Sequence, residues 1–228
     1  MKYFSLFYKF RLLQNTPYEF YNKIIRFVIK KYKVKYKDKR IHIIFDHMFS
    51  HDNYTVFMLS LRIGTQGIPI WFRCFKGKSS EEAFDEDLIK QAIEYASSLF
   101  SDDYELIFLA DRWFNSTGIL EFINFLNHTY CIRLKGNIKI KYLDKKNNKV
   151  VKSANKLRTL KNRTLYYENY EITDKNFKTN VVVSARKDLD EPWIIVTNGD
   201  VKNAIKDYGY RFGGIETIFK NQKSIISD

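Results

Sequence analysis

Three apolar runs, IHIIFDHMFS, NYTVFMLSLRIGT and IPIWFRCFKG, follow one another from residue 41, separated by a His-Asp-Asn turn and by the stretch holding Gly64 and Gly67. Runs rich in β-branched and aromatic residues with turns this short between them predict a meander of three adjacent strands. SSEEAFDEDLIKQAIEYASSLF then puts Phe84, Leu88, Ala92, Ala96 and Leu99 on one helical face, with Ser80 as candidate cap and acids in the first turn. YELIFLAD reads as a short apolar strand, NSTGILEFINFLNHT as a second amphipathic helix and YCIRLKG as another strand. Strands that alternate with helices pair in parallel and are covered by those helices, so the expected class is α/β, a mixed sheet flanked by helices.

Residues 137–192 have a different texture. Lys- and Asn-rich turns (DKKNNK, TDKNFKTN) separate alternating runs such as TLYYENYEI and VVVSAR, which predicts an all-β insertion. EPWIIVTNGD restores a core strand, and a final helix follows it. The expected organisation is a basic, partly helical arm over 1–40, a core over 41–136 and 193–228, and the β-rich insertion over 137–192.

Charge is unevenly spread. The net charge is +13, and residues 1–40 hold 12 Lys or Arg against only Glu19 and Asp38. This surplus of +10 favours a polyanionic partner tracked by the arm, or a solvated helix that runs into a linker. Pro17 stands at a plausible first helical position of that arm, and Phe20, Ile24 and Phe27 recur at helical spacing. No run approaches the roughly 20 apolar residues of a membrane span, and Lys9 and Arg11 interrupt the apolar opening before it can serve as a secretion signal. Cys74 and Cys131, far apart, form neither a disulfide framework nor a zinc ribbon; a reducing, cytoplasmic setting is expected.

Three acids stand out against this map. Asp46 lies inside the first strand, where an acid among apolar neighbours needs a partner or a metal. Asp111 closes the strand LIFLAD, at the carboxyl end where open α/β sheets bind ligands. Glu216 falls in the last helix, within YGYRFGGIETIFKNQKS. It shares a helical face with Lys223, seven residues on, while Tyr208 and Arg211 precede the Gly pair. His47 and His51 suit a zinc pair only on a helix; on a strand they read as core or surface imidazoles. Gly213-Gly214 lacks the Lys-Ser or Lys-Thr of a phosphate loop.

With LADRWF, EPWIIVTN and this last segment in view, the chain resembles the DDE transposases of bacterial insertion sequences, most closely the family numbered four, built on a ribonuclease H-like core. Tyr208-Gly-Tyr-Arg211 and Glu216-TIFKNQ-Lys223 match that family's Tyr-Arg-Glu-Lys signature, although RFGGIE has four residues between Arg and Glu where the family has three. The chain is also shortened at both ends relative to the family. The resemblance implies a transposase that cleaves transposon-end DNA and joins it to target DNA, with Asp46, Asp111 and Glu216 as catalytic residues holding two Mg²⁺ or Mn²⁺ ions. Tyr208, Arg211 and Lys223 would contact DNA; Arg112 and Trp113, beside the second acid, are further candidates, Trp113 by stacking on an unpaired base. Double-stranded DNA at transposon ends, target DNA and a second copy in a homodimer are the implied partners. The alternatives are a catalytically silent DNA-binding remnant and a nuclease of the same fold without strand transfer.

Overall fold

The computed structural model describes residues 17–33, 39–50, 53–77, 81–101, 103–144, 146–157, 159–173, 175–185 and 191–212. The chain divides into two units, residues 1–39 and 40–228. Within the first, helix α1 (Pro17–Lys33) begins on the proline, whose fixed φ and missing N–H suit a first helical position.

In the second unit ten strands form one sheet. In chain order they are β1 (Arg40–Ser50), β2 (Tyr54–Ile63), β3 (Gln66–Lys76), β4 (Glu105–Ala110), β5 (Thr129–Arg133), β6 (Lys139–Leu143), β7 (Lys149–Ser153), β8 (Arg163–Ile172), β9 (Phe177–Ala185) and β10 (Trp193–Thr197). Across the sheet the order is β3-β2-β1-β4-β5-β10-β9-β8-β6-β7. The β1–β2–β3 meander is antiparallel, whereas β1, β4 and β5 are parallel. This is the mixed sheet flanked by helices that the sequence predicts. The β2–β3 turn needs a left-handed residue and has Gly64 there, at φ 62°. Pro69 sits in β3, an edge strand, where its missing N–H leaves no ladder bond unmade.

The β-rich segment does not stand apart from this sheet. Strand β10 pairs antiparallel with β5 on one side and β9 on the other, so β6 to β9 continue the core sheet outward.

Helix α2 (Glu86–Ser98) and helix α3 (Thr117–Phe125) are the two amphipathic segments read from the sequence. One detail differs. The cap of α2 is Asp85, whose Oδ1 accepts the Leu88 N–H at 2.9 Å, and residues 81–84 form a separate 3₁₀ turn. Phe84 is drawn out of the helical register because its ring packs on His47, 4.1 Å between centroids. Ser80 lies outside the described residues. A last helix, α4, is described over residues 204–212.

The two faces of the sheet have different cores. Phe45, Phe57, Phe108 and Phe114 make an aromatic cluster on one face, and His47 joins it, stacked on Phe114 at 4.6 Å. On the other face Ile44, Ile107, Leu109, Cys131, Trp193 and Ile195 pack together with Ala204 and Tyr208 of α4. Because side chains alternate along β1, Asp46 shares the α4 face with Ile44 and His42.

Candidate active site

Asp46 is an acid in mid-strand, and the register explains why it is tolerated there. The last β1–β4 pair is Ile44 with Leu109, and β4 ends at Ala110, whereas β1 continues paired only with β2 as far as Ser50 opposite Tyr54. From Asp46 onward β1 has lost its parallel neighbour, so a notch opens at the carboxyl end of β4. Asp111 follows β4 at this notch. It is two residues beyond Leu109 just as Asp46 is two beyond Ile44, which puts the two acids beside each other past the last β1–β4 pair, near enough for the Asp111 charge to act on Asp46.

The electrostatics agree with that placement. Burial pushes the Asp46 carboxyl above its ordinary pKa; Arg211 and the His47 N–H oppose the rise, and the nearby Asp111 charge adds to it. Arg211 Nη2 donates to Asp46 Oδ2 at 3.0 Å, and the His47 N–H donates to Oδ1 at 2.9 Å. Asp111 caps the 3₁₀ turn Arg112–Phe114 by accepting the Arg112 N–H at 2.7 Å.

The remaining candidates fall into three groups. Arg112 and Trp113 are at the notch rim: Trp113 is 65% exposed, with Lys135 Nζ 4.9 Å from its ring centroid, and Arg112 bonds Glu191. Tyr208 and Arg211 are on α4 but turned inward. The Tyr208 ring is wholly buried against Trp193, and burial pushes its pKa up to about 12. Its Oη has no hydrogen-bond partner among the described residues. The DNA contact expected of Tyr208 therefore has no exposed atom to act through in this conformation, and Arg211 is engaged with Asp46. Glu216, Lys223 and His51 lie outside the described residues.

His47 is a core imidazole, as read from its strand position. Its Nε2 donates to the Ala83 carbonyl at 2.7 Å, and burial lowers its pKa to about 4.

The sequence reading missed a second ionic tie on α4. Asp207, 3% exposed, bonds His42 Nε2 at 2.9 Å and Arg40 Nη2 at 3.1 Å, and Arg40 Nε also reaches Glu105 at 3.1 Å. Burial opposes the Asp207 carboxylate, but His42 and Arg40 outweigh it and hold the pKa below the ordinary value. The available signal was periodic: His42 and Asp46 share a strand face four apart, and Asp207 and Arg211 share a helix face four apart. Two ion pairs therefore fasten α4 to β1 in register.

The profile of the Transposase DDE domain family matches residues 29–224. The chain belongs to that family. The matched range contains Asp46, Asp111, Glu216 and Lys223. No curated protein matches the chain. Among solved structures, this DDE domain is similar to the piggyBac transposase in its synaptic complex with hairpin DNA, at 11% identity and a TM-score of 0.42, covering 75% of this chain and 38% of that one. It is also similar to Marinitoga piezophila Argonaute in complex with a 5′ OH guide RNA, at 15% identity and a TM-score of 0.35, covering 77% of this chain and 26% of that one. The chain thus spans less than two thirds of either structure's own length.

Among the described residues no group of three or more His, Cys, Asp or Glu side chains could hold a metal ion. The two acids at the notch nevertheless fit a hard divalent cation: both are carboxylates, and their mutual repulsion is of the kind a cation relieves. Among the described residues no helix is long and apolar enough to cross a membrane.

Proposed function

We propose that this DDE domain cleaves DNA at transposon ends and transfers the freed strand to target DNA. The observation that carries the reading is the notch: Asp46 and Asp111, 65 residues apart in sequence, meet where β4 stops, beside a helix that leads towards Glu216. Asp46, Asp111 and Glu216 would hold Mg²⁺ or Mn²⁺. Bound there, the ions would activate the attacking oxygen and offset charge on the phosphoryl group.

The chain's own residues set up that chemistry. The His47 N–H fixes one Asp46 oxygen and Arg211 the other, so the carboxylate is oriented before any ligand arrives. Capping by Asp111 orients the second carboxylate in the same way, through a backbone N–H that cannot move independently of β4. The Asp207 tie, with Arg211–Asp46, holds α4 in register along β1. Arg112 and Trp113 stand at the rim, placed to meet a phosphate and an unstacked base. Arg211, a forked donor, holds Asp46 in place and presents the same kind of group that binds phosphate oxygens.

A plasmid carrying the DNA that flanks the coding region, incubated with the purified chain and Mn²⁺, tests the proposal. Joined products support a transposase. Nicks without joining leave a nuclease of the same fold. Binding without any cut leaves a DNA-binding remnant, in which Arg211 stays locked on Asp46.

A further inference from the structure

A second polar cavity opens next to the notch, of about 340 Å³, and it joins the core to the β-rich insertion. Arg112 and Arg133 line it from the core side, and Asn155, Lys156 and Glu191 from the insertion, Glu191 two residues before β10. Two guanidinium groups thus converge on one acid, and a third cation, Lys156, lines the same cavity. Glu191 Oε2 receives Arg133 Nη2 at 3.1 Å and Arg112 Nη2 at 3.4 Å, yet the Glu191 side chain is 68% exposed whereas that of Arg133 is 17% exposed. The acid is the loosely held member of the cluster, and the guanidinium it neutralises is the anchored one.

The insertion side is rigidly placed. Asn155 N–H donates to the Gly136 carbonyl at 2.9 Å, and a Cβ added at Gly136 would come within 3.2 Å of the Asn155 Cβ. The 3₁₀ turn Ala154–Lys156 therefore sits against the loop that follows β5, three residues beyond Arg133, and glycine at 136 permits the close approach.

An independent observation is the charge of the insertion as a whole. Residues 137–192 hold 14 Lys or Arg against 7 Asp or Glu, a surplus of +7, whereas 41–136 together with 193–228 hold 13 against 17, a deficit of 4. Past residue 40 the basic character belongs to the insertion, and this cavity is where the insertion meets Arg112 and Arg133 of the core.

We propose that the cavity is a phosphate-binding subsite for the nucleic-acid backbone, with Arg112, Arg133 and Lys156 as its donors and Glu191 as an internal stand-in that a backbone phosphate displaces. This inference rests on the DNA-processing reading above and adds to it a site for a phosphate other than the one at the acids. Two forked donors fit two oxygens of one phosphate, and the Asn155 amide can bond a third. Glu191 competes for the same donors, so the subsite opens only to an anion that binds them better than one exposed carboxylate.

The test is binding of a labelled duplex of mixed sequence by the full chain, with chelator and no metal, across a salt series. Arg133→Gln should weaken binding roughly ten-fold and lower the logarithmic salt slope by about 0.9, the loss of one phosphate contact. Lys156→Gln, an exposed substitution that leaves folding alone, should weaken binding roughly three-fold in the same direction. Glu191→Gln should tighten binding about three-fold, and the gain should vanish when combined with Arg133→Gln. Tightening that persists without Arg133, or a Glu191→Gln chain that binds no better than the parent, overturns the stand-in role. Unchanged slopes in both Arg133→Gln and Lys156→Gln overturn the subsite, whether or not the chain cuts DNA. A parent chain that shows these slopes but never cuts in Mn²⁺ retains the subsite and loses the transposase reading.

Discussion

Arg211, on the last described helix, holds Asp46 on the first strand of the sheet through a 3.0 Å bond between Nη2 and Oδ2, and the two residues are 165 positions apart. The pair ties the one helix that leads towards Glu216 to the acid at the centre of the notch. It also makes Arg211 part of the folded core before it can be part of any DNA contact.

Arg211→Ala should therefore destabilise the chain, by about 1–3 kcal/mol, less than the roughly 3–5 kcal/mol of breaking a fully buried pair because both side chains retain some exposure. Arg211→Lys should recover part of the loss. Urea denaturation midpoints of the two variants measure this, and equal midpoints for parent and Arg211→Ala would show that the bond adds nothing to stability.

Asp111→Asn should abolish Mn²⁺-dependent cutting, by a factor of about a thousand or more, while duplex affinity without metal stays within about two-fold of the parent. The amide retains a side-chain oxygen for the turn cap but not the charge. Asp46→Asn should lose cutting equally and stability as well, since it leaves Arg211 facing a neutral group. Cleavage of flanking DNA and chelated-state binding, measured side by side, separate the two effects.

The Asp207 tie carries a pH dependence whose sign follows from its depressed pKa. A carboxylate held below its unfolded value of 3.8 contributes stability in full above that pH and loses it as the pH falls through the lower folded value. Asp207→Asn should thus be less stable than the parent at neutral pH, with the difference shrinking below about pH 4. Denaturant midpoints at neutral and acidic pH decide the matter; a gap that stays constant would place the stabilisation elsewhere.

Tyr208→Phe should leave stability unchanged or raise it by up to about 1 kcal/mol, because the buried hydroxyl has no partner among the described residues and carries its desolvation cost with nothing in return from them. A loss of more than about 1 kcal/mol would mean that residues beyond 212 bond the hydroxyl.

Removing residues 1–38 should flatten the salt dependence of duplex binding and leave the fold of the 40–228 unit intact, since the arm carries a surplus of +10. Parallel salt titrations of the two chains provide the measurement. An identical slope would assign the arm to solvent rather than to DNA.

Much of this fold is written locally. The strand runs after residue 40, their short turns and the two amphipathic helices are properties of neighbours in sequence, because a strand repeats every second residue and a helix every 3.6. The same period put Asp46 on a strand and Asp111 at a strand end before any tertiary contact was known. Local chemistry also misled in places. Ser80 is the candidate cap read from the sequence, whereas Asp85 caps α2 and Phe84, just before it, packs on His47.

Other features depend on register between distant segments, which no local pattern carries. That β1 outlasts β4, and so leaves a notch at Asp46, depends on how two strands 65 residues apart align. Turning Arg211 and Tyr208 inward needs the whole apolar face of Ile44, Leu109, Trp193 and Ile195 to be in place under α4. Arg133 and Glu191 are unremarkable in sequence, and become a cluster only because β10 pairs antiparallel with β5. The sequence by itself determined which elements form and which acids lie on them, since both follow from local period and side-chain chemistry. Tertiary structure decided which charges meet, because an ion pair exists only where long-range strand pairing and helix docking bring two side chains within a few ångströms.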